Sequence, residues 1–303
     1  MTRVGVVGAG LMGTIHARLL ASEVPGARLV AVADPDRAAA ERLGGAVYTD
    51  GLELIAADDV DAVVVASPVS THEPLVLACI AAGKPVLCEK PLTATPEAAW
   101  RIVEAERAGG RHVVSVGFMR RFDPGYVDLK ARLDAGAIGR PLLVHCAHRN
   151  PSVHAFFDSA MIITDSAVHE ADSLRWLLGE AITSVDVRLP RASARARKGL
   201  QDPQLILLGT ASGILADVEA FVSAGYGYDI RCEIVGEDGT LALPVDVSSG
   251  FGERFAAAYG HELRAWIAGE ALAGAADGFA AAAVCAAGVE SLRNGGEVPV
   301  RIG

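Results

Sequence analysis

Three short stretches of this chain hold side chains that can move a proton and steady an oxyanion. Glu89-Lys90-Pro91 follows an apolar run, Pro85 to Cys88, that reads as a strand. Open α/β sheets bind ligands along the carboxyl ends of their strands. A lysine there can hydrogen-bond a substrate hydroxyl and stabilise a developing alkoxide. The second stretch is Thr164-Asp165-Ser166-Ala167-Val168-His169-Glu170. On a helix, residues four apart share a face with Cβ atoms about 5–6 Å apart, so Asp165 lies beside His169. The carboxylate can then hold a hydroxyl or orient the imidazole, and His169 is a candidate general base. An N-cap aspartate followed by a core histidine is the plainer alternative. No zinc helix is present, because position 173 is Ser where a second His would be required.

The third stretch is His145-Cys146-Ala147-His148-Arg149-Asn150. On a strand His145 and His148 face opposite ways, which argues against a two-histidine metal site. His148 and Asn150 share a face and can both meet a polyol. Tyr226-Gly227-Tyr228 likewise presents two tyrosines on one face, either as core or, with Gly225 and Gly227 beside them, as a crowded ligand wall.

The start of the chain supplies what these residues would act upon. Val4 to Val7 is a short apolar strand running into Gly8-Ala9-Gly10-Leu11-Met12-Gly13 and then a helical stretch. Asp34 closes the next apolar run, about 20 residues beyond the last glycine, which is dinucleotide-fold spacing. Gly8 allows the tight turn, Gly10 lets the backbone approach a pyrophosphate, and Gly13 lets helix and strand pack. The helix N-terminus offers free N–H groups and a positive dipole end to the phosphates. Asp34 can accept from the ribose hydroxyls and repels a 2′-phosphate, with Asp36 adding charge and Arg37 the only nearby cation, so NAD is expected over NADP.

The elements around these motifs have the order expected of an α/β fold. The first third alternates strands (Val47-Tyr48, Val60 to Ala66, Pro85 to Cys88, Val113 to Val116) with helices (Ala38 to Leu43, Glu73 to Ala82, Pro96 to Ala108). Such crossovers build an open parallel sheet. After Gly117 come helices Tyr126 to Ala135 and Asp165 to Leu178, and strands Pro141 to His148, Thr183 to Leu189, Leu205 to Thr210, Gly213 to Ala220 and Ile230 to Gly236. Gly-containing turns join several of these, as in a mostly antiparallel sheet. Helices Arg254 to Ala268 and Asp277 to Asn294 precede a last strand, Val298 to Ile302. The expected fold is α/β, with a Rossmann dinucleotide-binding domain over 1–117 and an α+β substrate-binding and oligomerisation domain over 118–303, whose C-terminal helix can pack back on the first.

Composition narrows the partners. The chain has 303 residues, 51% of them hydrophobic, and a formal net charge of −10, which argues against nucleic acid or an anionic membrane. Arg191, Arg195, Arg197 and Lys198 form the one basic cluster and read as a solvated loop. Five cysteines without CxxC spacing point to reduced thiols. No leader precedes the first strand, and the alanine-rich tail is broken by Asp277, Gly278 and Glu290, so a cytoplasmic protein is expected.

The fingerprint, E-K-P and the later D-x-x-x-H together resemble the glucose–fructose oxidoreductase / inositol dehydrogenase (Gfo/Idh/MocA) family. Gly117-Phe118-Met119-Arg120-Arg121-Phe122-Asp123, His148-Arg149-Asn150-Pro151, Ile163 to Glu170, Arg175-Trp176-Leu177-Leu178 and Tyr226 to Ile230 narrow the likeness to members that oxidise inositol. It runs from Val4 to about Leu243 and resumes over Arg254 to Trp266. The resemblance implies a catalytic triad of Lys90, Asp165 and His169, with His169 taking the hydroxyl proton. It implies NAD held by Gly8, Ala9, Gly10, Leu11, Met12, Gly13, Asp34, Ser67, Pro68, His72, Glu89 and Lys90. Arg120, His148, Asn150 and Tyr228 would contact further ring hydroxyls beside Asp165 and His169, and Met119 would line the pocket. A cis Lys90–Pro91 bond and a homo-oligomer, tetramer or dimer, are also implied. The implied reaction oxidises myo-inositol to 2-keto-myo-inositol (scyllo-inosose). A related cyclitol or sugar dehydrogenase is the alternative, and a non-catalytic NAD-binding regulator or transient-oxidation chemistry with retained cofactor lies further off. One departure stands out: between Pro244 and Glu253 this chain has only V-D-V-S-S-G-F-G, where family members carry a longer strand-bearing segment. The oligomer interface and one pocket wall are therefore not carried over.

Overall fold

The computed structural model describes residues 1–301. The chain divides into two compact units, Met1–Phe118 with Tyr259–Ala282, and Met119–Ala258 with the residues from Ala283 onward. The first comprises β1 (Thr2–Val7), α1 (Leu11–Ser22), β2 (Ala27–Ala33), α2 (Arg37–Glu41), β3 (Ala46–Tyr48), α3 (Gly51–Ala56), β4 (Ala62–Val65), α4 (His72–Ala82), β5 (Val86–Glu89), α5 (Pro96–Gly109) and β6 (Val114–Gly117). The sheet is parallel throughout, in the order β3-β2-β1-β4-β5-β6. The order reverses between β1 and β4, so the ligand crevice of this topology opens over their carboxyl ends.

Local chemistry explains the element ends. Asp36 accepts from the N–H groups of Ala38 and Ala39 and starts α2. Thr95 caps Ala98 and Pro96 occupies the first turn of α5, which Gly110 ends in the left-handed conformation at φ +64°. All four residues of β4 are buried, as a strand covered on both faces requires. Beneath the crevice, Val4, Val6, Leu20, Val64 and Leu87 pack with Leu263 and Trp266. Each such side chain contributes roughly 1.5–3 kcal/mol on full burial.

The second unit contains α6 (Pro124–Asp134), β7 (Pro141–Arg149), a π-helical segment Ile162–Ala167 that continues as α7 (Val168–Leu178), β8 (Ile182–Arg188), β9 (Gln204–Thr210), β10 (Leu215–Phe221), β11 (Tyr228–Gly236), β12 (Thr240–Ala242), β13 (Val247–Ser248) and β14 (Glu297–Pro299). Its sheet runs β12-β11-β7-β10-β9-β8-β14, with β13 pairing to β11. Only the β7–β10 pairing is parallel among the described residues. The inward face alternates as a half-buried strand should: Val144, Cys146 and His148 of β7 are buried while Leu143 and His145 are exposed.

Several expectations change. The sequence assigns 118–303 to the second domain with a C-terminal helix able to pack back on the first; residues 259–282 belong to the first unit, where Leu263 and Trp266 complete its core. The helix expected over 254–268 is interrupted at Phe255, giving α8 (Phe251–Arg254) and α9 (Ala256–Ala268). The expected segment Asp165 to Leu178 begins as a π-helix, so Asp165 sits in a widened turn and not in a regular α-helix. The last strand covers Glu297–Pro299, and Ile302 lies outside the described residues. The segment between Pro244 and Glu253 keeps a two-residue strand, β13, whose Val247 and Ser248 pair with Asp229 and Tyr228.

The last helix, α10 (Ala275–Asn294), is long and apolar enough to cross a membrane by composition, but 67% of its most apolar stretch is buried inside the protein. It is a core helix. Phe279 packs on Trp100 in the first unit with ring centroids 5.1 Å apart, and Ser291 accepts the Val187 N–H in the second at 2.9 Å.

Two glycines of the fingerprint do different work. A Cβ on Gly13 would stand 1.8 Å from the Gly8 carbonyl oxygen, whereas one on Gly10 would meet nothing within 4 Å. Gly13→Ala is therefore expected to cost about 1–3 kcal/mol of stability or more by overpacking. Gly10→Ala should leave the melting temperature unchanged and weaken NADH binding, because its methyl intrudes only on what docks there. Thermal melts beside fluorescence titration with NADH check both.

Candidate active site

The carboxyl edge of the first unit forms a cradle from the loop after β1. Gly8 takes φ +99°, and a Cβ there would lie 2.6 Å from the Ala66 carbonyl oxygen and 2.7 Å from the Ser67 nitrogen. Gly10 caps α1 without any side-chain acceptor, leaving the first-turn N–H groups of Leu11, Met12 and Gly13 directed to the crevice. Asp34, at the tip of β2, accepts from the Ala9 N–H at 2.7 Å and from the Asp36 N–H at 2.8 Å, one on each oxygen. A carboxylate has about four acceptor sites, so both oxygens retain capacity for the hydroxyls of a ribose. Arg37, the nearby cation that could soften rejection of a 2′-phosphate, is bonded to Glu41 at 2.9 Å. The open space at Gly10, the free first turn of α1 and the acid at β2 fit a pyrophosphate followed by an adenosine ribose.

Along the same edge, Ser67 follows β4, with its hydroxyl 2.6 Å from that of Thr71, and Pro68 is exposed beside it. His72 is expected from the sequence to contact the cofactor. Both its ring nitrogens are instead engaged by backbone, Nδ1 with the Pro91 carbonyl oxygen at 3.0 Å and Nε2 with that of Ser67 at 2.9 Å, and the residue is 1% exposed. It braces two loops. Glu89 is buried, with one oxygen accepting the Lys90 N–H at 3.2 Å and the other 2.7 Å from Nε2 of His16. Lys90 itself is half-buried, and the Lys90–Pro91 bond is cis.

The second unit gathers most of the expected substrate residues. His148 from β7, His169 and Glu170 from α7, Tyr228 from β11 and Arg120 from the short 3-10 segment Met119–Phe122 form one buried cluster. The ring of His148 lies 6.1 Å from that of His169 and 5.9 Å, edge-on, from that of Tyr228. Glu170, to which the sequence motifs give no role, is the centre. It pairs with Arg120 and accepts from His148 Nδ1 at 3.0 Å. Burial alone would raise the Glu170 carboxyl, but the Arg120 charge and then His148 more than offset it and hold it at about 2. Burial pushes the Tyr228 phenol up to about 12, partly countered by Arg120. Tyr228 is therefore a neutral hydroxyl able to donate.

Arg120 departs from its expected role as a substrate contact. It is 1% exposed, and its Nη1 donates to Glu170 and to the Tyr126 hydroxyl at 3.3 Å, while Nη2 lies 3.2 Å from the His148 Nδ1 that donates to Glu170. It orients His148 through Glu170. Met119, expected to line the pocket, is buried beside it. Asn150 is half-buried just beyond β7, its N–H bonded to the Phe221 carbonyl at 2.9 Å and its carbonyl to the Ala224 N–H at 2.9 Å. Asp165 is half-buried in the π-helical turn, a feature common at functional sites. The two tyrosines do not share a face: Tyr228 is buried, while Tyr226 is 56% exposed and reaches towards Asp229 at 3.5 Å. Gly225 and Gly227 take φ +75° and +147°, which breaks the strand alternation between them.

Arg121–Asp172 at 2.5 Å and Arg254–Asp123 at 2.7 Å are among the further ion pairs that brace this unit. Neither was legible in the sequence, because their partners lie 51 and 131 positions apart.

Fold and cradle together define a dinucleotide-dependent oxidoreductase. The model of the oxidoreductase family with an NAD-binding Rossmann fold matches residues 2–118, and that of the GFO/IDH/MocA C-terminal domain matches residues 126–242. The chain belongs to the GFO/IDH/MocA oxidoreductase family, and its first unit carries that family's NAD-binding domain. It is 52% identical to inositol 2-dehydrogenase 4 of Saccharopolyspora erythraea, over 99% of this chain and 96% of that protein. That alignment spans 325 positions against 303 residues here, so the relative carries residues this chain lacks. A myo-inositol dehydrogenase from Lactobacillus casei, solved in complex with NAD(H) and myo-inositol, is similar at a TM-score of 0.96 and 37% identity, over 100% of this chain and 98% of that one. A scyllo-inositol dehydrogenase from the same organism, with bound NAD(H) and scyllo-inositol, gives a TM-score of 0.91 at 26% identity over 99% of each chain.

A pH dependence follows from Glu170. Its folded-state value is depressed, so its contribution is fully present above its ordinary value of 4.5 and is lost as pH falls through about 2. The size is on the order of 3 kcal/mol. Glu170→Gln leaves the buried Arg120 charge unpaired and is expected to cost about 3–5 kcal/mol at neutral pH. Urea unfolding between pH 7 and pH 2 should show the gap between wild type and variant narrowing as acidity rises.

Proposed function

We propose that the protein oxidises myo-inositol at its axial 2-hydroxyl, giving 2-keto-myo-inositol, with NAD as hydride acceptor. Lys90, Asp165 and His169 are the residues assigned to the chemistry. His169 takes the proton of the hydroxyl, while Lys90 and Asp165 hold and polarise that oxygen. When bound, NAD supplies the acceptor for the C2 hydride, held by the fingerprint loop, Asp34 and the Ser67 and Glu89 loops. Atoms balance: the hydride leaves carbon, the hydroxyl proton goes to imidazole, and C–O becomes C=O. His148, Tyr228 and Asn150 are assigned to the remaining ring hydroxyls, and Arg120 to holding His148 through Glu170.

The observation that carries this reading is the buried cluster in which the His148 ring lies 6.1 Å from that of His169 and 5.9 Å from that of Tyr228. Imidazole and phenol groups can both donate to and accept from hydroxyls, which suits a polyol. A site built to hydrogen-bond hydroxyls also rejects analogues lacking them. The identity of 52% with an inositol 2-dehydrogenase supports the same substrate class. A related cyclitol or sugar is the second reading, favoured by the short segment around β13 and by likeness to a scyllo-inositol dehydrogenase.

The protein is further read as a cytoplasmic homo-oligomer, a tetramer or dimer. The exposed cross-strand pair Leu143 and Leu215 on β7 and β10 supports association, and five buried free cysteines suit a reducing compartment.

NADH formation from NAD with myo-, scyllo- and chiro-inositol and glucose side by side tests the substrate, and myo-inositol is expected to give the highest kcat/KM. His169→Ala is expected to lower kcat by about 10²–10⁴-fold while NADH still binds. A fully active His169→Ala protein would remove the assigned base.

A further inference from the structure

Lys90-Pro91 leaves β5 between two buried histidines for which no chemical step is assigned. On the upstream side, the Glu89 carboxylate turns back beneath the chain. One oxygen accepts the Lys90 N–H at 3.2 Å, and the other lies 2.7 Å from Nε2 of His16 on α1. On the downstream side, the Pro91 carbonyl is held by Nδ1 of His72 at 3.0 Å, and the opposite nitrogen of that ring holds the Ser67 carbonyl at 2.9 Å. His16 is 0% and His72 1% exposed. Room for this packing is built in. Gly117 pairs with Glu89 across β5 and β6, and a Cβ on it would stand 3.3 Å from the Glu89 carboxylate carbon. The His16 ring meets Tyr259 edge-on at 6.1 Å.

Burying a carboxylate and two imidazoles is costly unless their hydrogen bonds are made, and apolar residues of similar volume would pack there at less cost. What the polar groups provide is definition of the backbone on either side of one residue. Lys90 has a flexible four-carbon stem, so its ammonium is placed only as well as its Cα is. Productive geometry requires placement within about 0.5 Å. Glu89 accepts only, so Nε2 of His16 carries the hydrogen of that bond. His72 faces two carbonyl oxygens, and a ring N–H is the group that can hold either of them.

We propose that His16, acting through Glu89, and His72 are positioning residues that fix Lys90 from its two sides, and that His72 also ties this loop to the Ser67 loop after β4. This rests on the assignment of Lys90 to the substrate hydroxyl. Neither histidine touches the reacting atoms.

A double-mutant cycle on the full-length enzyme tests it, using Lys90→Ala, His72→Ala and the pair, with His72→Gln as the conservative variant. Turnover is read at saturating NAD and polyol, beside NADH affinity and the melting temperature. His72→Ala is expected to lower kcat by about 10–100-fold, as a misplacement near 1 Å does. His72→Gln, which keeps an N–H donor, should recover most of it. In the Lys90→Ala background the same change should matter by less than about twofold. NADH affinity is read in every variant so that a loss at the Ser67 loop is separated from the loss of turnover at saturating cofactor. The same full cost of His72→Ala with and without Lys90 would overturn the proposal, as would a loss traced wholly to NADH affinity or to unfolding. Where residual Lys90→Ala turnover is too small to measure, hydrogen exchange decides: His72→Ala and His16→Gln should each speed exchange in peptides spanning 89–93, and unchanged exchange there would overturn the proposal. If Lys90→Ala alone leaves kcat intact, the assignment of Lys90 fails, which is a different result from additivity with His72.

Discussion

At the first turn of the NAD-binding domain, Gly13 comes so near the Gly8 carbonyl oxygen that a Cβ would stand 1.8 Å away. Much of the domain's working edge depends on that approach. It sets α1 directly over the end of β1, which leaves the N–H groups of its first turn facing the crevice and Gly10 open to it. It also lets Ala9 reach Asp34 at the tip of β2, at 2.7 Å. The same helix carries His16, one turn on, to the Glu89 carboxylate at the end of β5. One helix placed by two glycines thus organises the phosphate end of the cradle and the loop bearing Lys90. A bulkier residue at position 13 would disturb both.

The second unit is organised differently, by buried charge. Glu170 holds Arg120 and His148 at once, and Arg121–Asp172 and Arg254–Asp123 fasten the surrounding segments. Such pairs are weak contributors to stability against a well-packed apolar core, but costly to break singly. Their effect here is directional. An arginine and a carboxylate aim the His148 ring, and the π-helical turn before α7 places Asp165 ahead of His169. The cluster presents imidazole and phenol groups whose orientation is decided from behind, as recognition of a ring of hydroxyls requires.

Much of the architecture was legible because it rests on local pattern. The apolar run Ala62-Val63-Val64-Val65 of β4 has the pattern of a strand buried on both faces, and Gly8, Gly10, Gly13 and Asp34 named the cofactor class by spacing. What stayed hidden depends on contacts between distant residues. A π-helical turn differs from an α-helix by one hydrogen-bond step, which leaves no composition signal around Asp165. Nothing in Arg120-Arg121 names the partners of either arginine, and only the fold brings them to Glu170 and Asp172, both buried. The partners of His72 are backbone carbonyls, which any sequence supplies equally. Tyr226 and Tyr228 alternate correctly on paper, but the positive φ of Gly225 and Gly227 sends them apart. The return of residues 259–282 to the first unit could be read only from which core Leu263 and Trp266 complete.

The proposed function rests on one transfer: the hydrogen on the polyol carbon bearing the axial hydroxyl passes as hydride to the nicotinamide. Turnover of myo-inositol deuterated at carbon 2, followed by mass analysis of the reduced cofactor, tests it most directly. One deuterium is expected in every reduced nicotinamide formed, together with a ketone at that carbon. Unlabelled NADH, or consumption of the polyol with no net reduced cofactor, would contradict it.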